Sequence, residues 1–208
     1  MKILKTLMVL SLVSILACDK KSDISDEQIN QIQKEIEQLF TFEEKKIYLE
    51  KILEDDQNVR DDSDLVLQHG LDSPEYIEFI NAQWKQDEIN LVKVETYLEI
   101  HGYPSKEIGD MATTAPWMVI HHAQGYEARE RNFKVIYEAY LKDDITDGAI
   151  SFYLGRMYDI KYGERLKMKS PYKPEDEINL LINKLNLKKK KIEVQEQHEK
   201  NTHDETKL

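Results

Sequence analysis

The stretch Pro116-Trp117-Met118-Val119-Ile120-His121-His122-Ala123 is apolar on every side except at its two histidines. A helix that is apolar all round is a buried one, so this run predicts a central helix around which the rest of the chain packs. Reading outward toward the C-terminus, Tyr126 to Leu141 and Thr146 to Tyr162 carry helical periods, the second ended by Gly163. Pro174 opens a last helix whose apolar face is Ile178, Leu181, Ile182, Leu185 and Leu187. Toward the N-terminus, His101-Gly102-Tyr103-Pro104 stops a long helix or a broken pair that starts at Ser73-Pro74 and carries Tyr76, Phe79, Ile80, Trp84, Leu91, Val94 and Leu98. Asp61 to Asp72 reads as an acidic, irregular stretch. Before it, Thr41 with Glu44 caps a helix bearing Phe42, Ile47, Leu49, Ile52 and Leu53, and Ser25 with Gln28 caps one bearing Ile29, Ile32, Ile36, Leu39 and Phe40. No strand-period run of useful length and no internal repeat occurs. The expectation is an all-α protein, a single helical domain of about six to eight helices between a flexible tether and a flexible tail.

Composition agrees with one domain. The 208 residues are 33% charged and 40% hydrophobic, with seven Gly and five Pro, which excludes collagen-like and wholly disordered classes. A net charge of −11 is a poor match to nucleic acid, whose affinity rests on cations meeting phosphates. The single cysteine removes intrachain disulfides and multi-cysteine metal sites. No phosphate-binding glycine loop, dinucleotide fingerprint, esterase elbow or zincin motif is present.

The position of that cysteine is informative. Lys2 and Lys5 precede an apolar run from Leu7 to Ala17, too short to span a bilayer, which needs about 20 apolar residues. Ile15-Leu16-Ala17-Cys18 resembles a bacterial lipobox. The resemblance implies lipidation at Cys18 and a membrane-anchored lipoprotein of the bacterial cell envelope, held extracytoplasmically by its acyl chains. The expected organisation is a signal peptide over residues 1–17, a tether over 18–25, an all-α domain over 26–187 and a charged tail over 188–208, where the apolar period fades beyond Lys188.

Several polar residues in the domain invite chemistry. The acids from Asp55 to Asp64 do not form an EF-hand, because counting from Asp56 puts Asp61 where glycine is required. His121 and His122 point about 100° apart on a helix and do not clamp one metal, so no metal or cofactor is expected. Asp56 and Arg60 read as an i,i+4 surface pair, and Arg156, between Leu154 and Met157, either snorkels or meets a buried acceptor.

Taken in order, Asp56-Gln57-x-x-Arg60, Asn90, Gly102 and Pro104, Trp117, His122 and Arg156 resemble the motifs of an uncharacterised bacterial family catalogued as domain of unknown function 6624. The resemblance covers Leu49 to Arg165, with departures at His121-His122-Ala123-Gln124, at Gly155-Arg156 and around Glu164 to Met168. Apart from the resemblance, two Arg, one His, an Asp and a Gln are expected to meet, either in an open pocket or in a closed structural network. Such a set is costly in a helical core unless its members pair. The candidate pocket is therefore Asp56, Gln57, Arg60, Asn90, Trp117, His122 and Arg156, fit for a small anionic or polar ligand. An alternative is a metal-independent hydrolase or transferase with His122 as general base, and a third is a purely structural envelope protein.

Overall fold

Side-chain caps set four of the helix starts in the computed structural model, which describes residues 24–187. Cys18, the leader and the charged tail lie outside the described residues. Ser25 and Gln28 form a reciprocal capping box ahead of α1 (Asp26–Glu37), and Thr41 and Glu44 form another ahead of α2 (Phe42–Asn58). After a short α3 (Ser63–His69), Ser73 accepts a hydrogen bond from the Tyr76 amide and Pro74 takes the first position of α4 (Pro74–His101). The central α5 (Asp110–His122) is followed by α6 (Glu127–Leu141), α7 (Asp147–Tyr162) and α8 (Pro174–Lys184). Thr146 caps α7, and Gly163, at φ +73°, ends it in the left-handed conformation that glycine adopts without strain. Among the described residues the protein is all-helical, as the periodicity predicts.

Three boundaries differ from the sequence reading. The acidic stretch after Asp61 contains α3, none of whose residues is buried. Of the two readings open for the region after Ser73, the long helix is the one that forms, 28 residues from Pro74 to His101. The central helix begins at Asp110, which leaves Pro116 inside it. Pro116 is buried, so its ring packs where a helix interior would normally disfavour it, and a search for proline at a helix start misplaces the boundary. Finally, α1 stops before Leu39 and Phe40, and Phe40 is exposed.

α5 is the hub. Its first half sets Ala112 and Ala115 against a small core of Ile32 and Ile36 from α1, Leu49 and Leu53 from α2, and Tyr97 from α4. Its second half sends Val119 and Ile120 into a larger core with Phe133 and Ile136 of α6, Ile150, Leu154 and Met157 of α7, and Leu181 of α8. Small residues in the first half let α2 and α4 approach closely, and branched ones in the second fill a wider gap. His101 Nε2 lies 3.0 Å from the Ile36 carbonyl and ties α1 to the end of α4. No residue of α4 before Asp87 is buried, so its first three turns and α3 project from the packed body. No described helix is long and apolar enough to cross a membrane.

Candidate functional site

The buried stripe of α2 runs Leu49, Ile52, Leu53, Asp56, so helical spacing carries a carboxylate onto the apolar face. Asp56 is fully buried, and its oxygens are saturated by partners. Gln57 Nε2 donates to Oδ2 at 2.7 Å, and Arg60 Nη2 donates to Oδ1 at 2.7 Å. His122, at the last turn of α5, places Nδ1 2.9 Å from Oδ2. Burial by itself pushes Asp56 up, but the hydrogen bonds and charges of His122 and Arg60 outweigh it and hold the carboxyl below its ordinary value.

Arg60 also reaches α4, where its Nη2 lies 2.5 Å from Asp87 Oδ1. Burial disfavours its charge, yet the two carboxylates together raise its pKa. Asp87 is itself buried, which raises its pKa, and Arg60 only partly offsets that burial. The sequence reading did not select Asp87. The available signal was that Asp87, Asn90, Val94, Tyr97 and Leu98 form one buried stripe, with the acid continuing the apolar face toward the N-terminus.

Beside this network lies an open cleft of about 860 Å³ lined by Arg60, Asp87 and Trp84, by His121 and His122, and by Arg129, Phe152 and Arg156. That volume falls within the range of small-ligand sites. Of the seven expected pocket residues, Arg60, His122 and Arg156 line it. Asp56 and Gln57 stand behind them as partners. Asn90 is buried and accepts from Gln86 Nε2, while its own Nδ2 has no partner. Trp117 packs on the core, edge-on to His121, and does not line the cleft. Arg156 resolves the choice between snorkelling and a buried acceptor: it is exposed and makes no ion pair or hydrogen bond among the described residues.

Arg129 is a second residue the sequence reading missed, although it shares the α6 stripe of Phe133 and Ile136. Only 1% of it is exposed. Nη1 donates to the Gly125 carbonyl at 2.5 Å, Nη2 donates to the His121 carbonyl, and Nε has no partner. No carboxylate pairs with it among the described residues, and Arg156 is a cation acting on it. Burial lowers its pKa to about 10, so it remains charged at neutral pH.

His121 differs sharply from its neighbour. It is buried, its Nδ1 has no partner, and its ring stacks on Phe152 with centroids 4.2 Å apart and planes 23° from parallel. Burial, with the charges of His122, Arg129, Arg156 and Arg60, lowers its pKa to about 3. It is therefore a neutral ring at physiological pH. The two imidazoles sit 5.5 Å apart at 68°, and no group of three or more His, Cys, Asp or Glu side chains able to hold a metal occurs among the described residues.

No family model, no curated protein and no solved structure matches this chain.

Proposed function

We propose that the protein is a lipid-anchored module of the bacterial cell envelope, tethered at Cys18, whose α4–α5–α7 cleft binds a small anionic ligand. One observation carries the binding reading: two guanidinium groups, buried Arg129 and exposed Arg156, line the same cleft with no carboxylate pairing either of them among the described residues. A buried charge without a counter-ion is costly, and like charges brought together add to that cost, which an anion relieves. Arg156 supplies the direct contact, and Arg129 adds its charge through poorly screened protein beneath the cleft floor.

The test is a melting experiment at low ionic strength with acetate, sulfate and phosphate at increasing concentration. At least one anion should raise Tm in a saturable way, and Arg156→Ala should remove most of the rise while leaving the ligand-free Tm nearly unchanged. Absence of any saturable shift overturns the binding reading.

The contact between Asp56 and His122 favours a second reading. A carboxylate 2.9 Å from Nδ1 holds the proton on that nitrogen and leaves Nε2 as the accepting atom of a cleft-lining imidazole. This is the arrangement of a general base, with Arg156 available to stabilise developing negative charge. Turnover of activated aryl esters or phosphates that is lost in His122→Ala supports it, and an equal background rate in parent and variant refutes it.

A further inference from the structure

We infer that the ligand of this cleft is an aromatic carboxylate, its carboxylate held by Arg156 above Arg129 and its ring stacked on Phe152. The inference rests on the anion-binding reading and names the chemical class of the anion.

Charge in the cleft points to a single negative group. Arg60 is committed to Asp56 and Asp87, and Arg165 sits 3.7 Å from Asp159. Arg129 and Arg156 then remain against one lining acid, Glu177, which accepts a hydrogen bond from Ser151. Counted over the side chains that line the cleft, Arg60, Arg129, Arg156 and Arg165 stand against Asp87, Asp159 and Glu177, a surplus of one positive charge that a monoanion neutralises and a dianion overshoots. The planar fork of a guanidinium matches the two oxygens of a carboxylate.

The apolar side of the cleft points to a ring. Phe152 is 57% exposed on a helix whose neighbouring turns are well packed, and it lines the cleft. One ring face lies on His121, and the residue's exposure into the cleft gives a ligand ring a surface to stack on. His121 beneath it is neutral, so the platform neither repels a ring nor competes for the anion. Trp84, 47% exposed on α4, adds a second aromatic surface to the same cleft. Exposed aromatics beside unpaired cations form a surface that stacks a ring in offset geometry while its charge is held.

Titration of the full chain by protein-detected NMR, with benzoate, cyclohexanecarboxylate, acetate and phenyl phosphate as probes at low ionic strength, tests this. Benzoate should bind about fivefold more tightly than cyclohexanecarboxylate, the scale of one aromatic contact. Phe152→Leu should abolish that preference while keeping the affinity for cyclohexanecarboxylate, and Arg156→Ala should weaken both carboxylates more than tenfold. Equal binding of benzoate and cyclohexanecarboxylate, or a preference that survives Phe152→Leu, overturns the aromatic inference and leaves anion binding standing. Tighter binding of phenyl phosphate than of benzoate at pH 8 overturns the monoanion assignment. Failure of all four probes overturns the anion reading and this inference together.

Discussion

His122 Nδ1 lies 2.9 Å from Asp56 Oδ2 across 66 residues of sequence, joining the end of α5 to the buried face of α2. The two members of this pair differ in what else holds them. Asp56 has Arg60 and Gln57 besides, whereas the described contacts of the His122 imidazole are Asp56 and the edge of His121.

Unequal costs should follow when either partner is removed. His122→Ala leaves Asp56 satisfied by two donors and should cost about 1 to 2 kcal/mol. Asp56→Ala strips both His122 and part of Arg60 of a buried partner and should cost about 3 to 5 kcal/mol. Urea melts of the two variants beside the parent check the order, and equal losses would remove Asp56 from its place as the centre of the network.

Stability should fall as pH drops from neutrality toward 4. Unfolded His121 takes up its proton near its ordinary 6.5, and folded His121 does so only near about 3. Between these values the unfolded chain binds more protons, so stability is full above about 6.5 and is lost as pH falls, by up to about 1.4 kcal/mol per pH unit. Asp56, held below its ordinary value, adds a further loss with the same sign below about 3.8. His121→Phe keeps a ring on Phe152 and should flatten the slope between pH 6.5 and 4.5. An unchanged slope in that variant would assign the pH response to another group.

Arg156→Ala should leave stability within about 0.5 kcal/mol of the parent, or raise it slightly, because the side chain is exposed and its charge disfavours that of buried Arg129. Chemical denaturation at low and high salt measures this. A loss above about 1 kcal/mol would show that Arg156 serves the fold.

Two glycines beside the cleft should respond in opposite directions. Gly125, whose carbonyl accepts from Arg129, has φ +76°, and an added Cβ would approach Glu127 Oε2 to 2.9 Å. Gly125→Ala should cost about 1 to 2 kcal/mol, chiefly from the backbone conformation. Gly155, inside α7, has open space at its Cβ position, and Gly155→Ala should stabilise by about 0.5 to 1 kcal/mol. Melting temperatures of both variants decide, and a gain at Gly125 would contradict the strain argument.

Lipidation is expected at Cys18. Intact-mass spectrometry of the membrane fraction should find a mature chain that begins at Cys18 and carries acyl mass. A different N-terminus, or no acyl mass, removes the anchor from the proposed function.

The helices were legible in sequence because their causes are local. The Ser25–Gln28 and Thr41–Glu44 boxes, the Ser73-Pro74 start, the Gly163 stop and the periods of Ile32, Ile36 and Leu181 act within a few residues of one another. Asp56, Arg60, His122 and Arg156 could be singled out as polar residues of unusual setting, but their pairing depends on how α2, α5 and α7 pack. Asp87 and Arg129 each continue an apolar stripe, a pattern that marks burial of a charge without naming its partner. Sequence by itself determined the all-α class, the capped helix starts and the central place of α5. Tertiary structure alone decided that Asp87 pairs with Arg60, that Arg129 meets no acid among the described residues, and that Arg156 shares its cleft, because Coulomb energy and desolvation depend on distance in space rather than on separation along the chain.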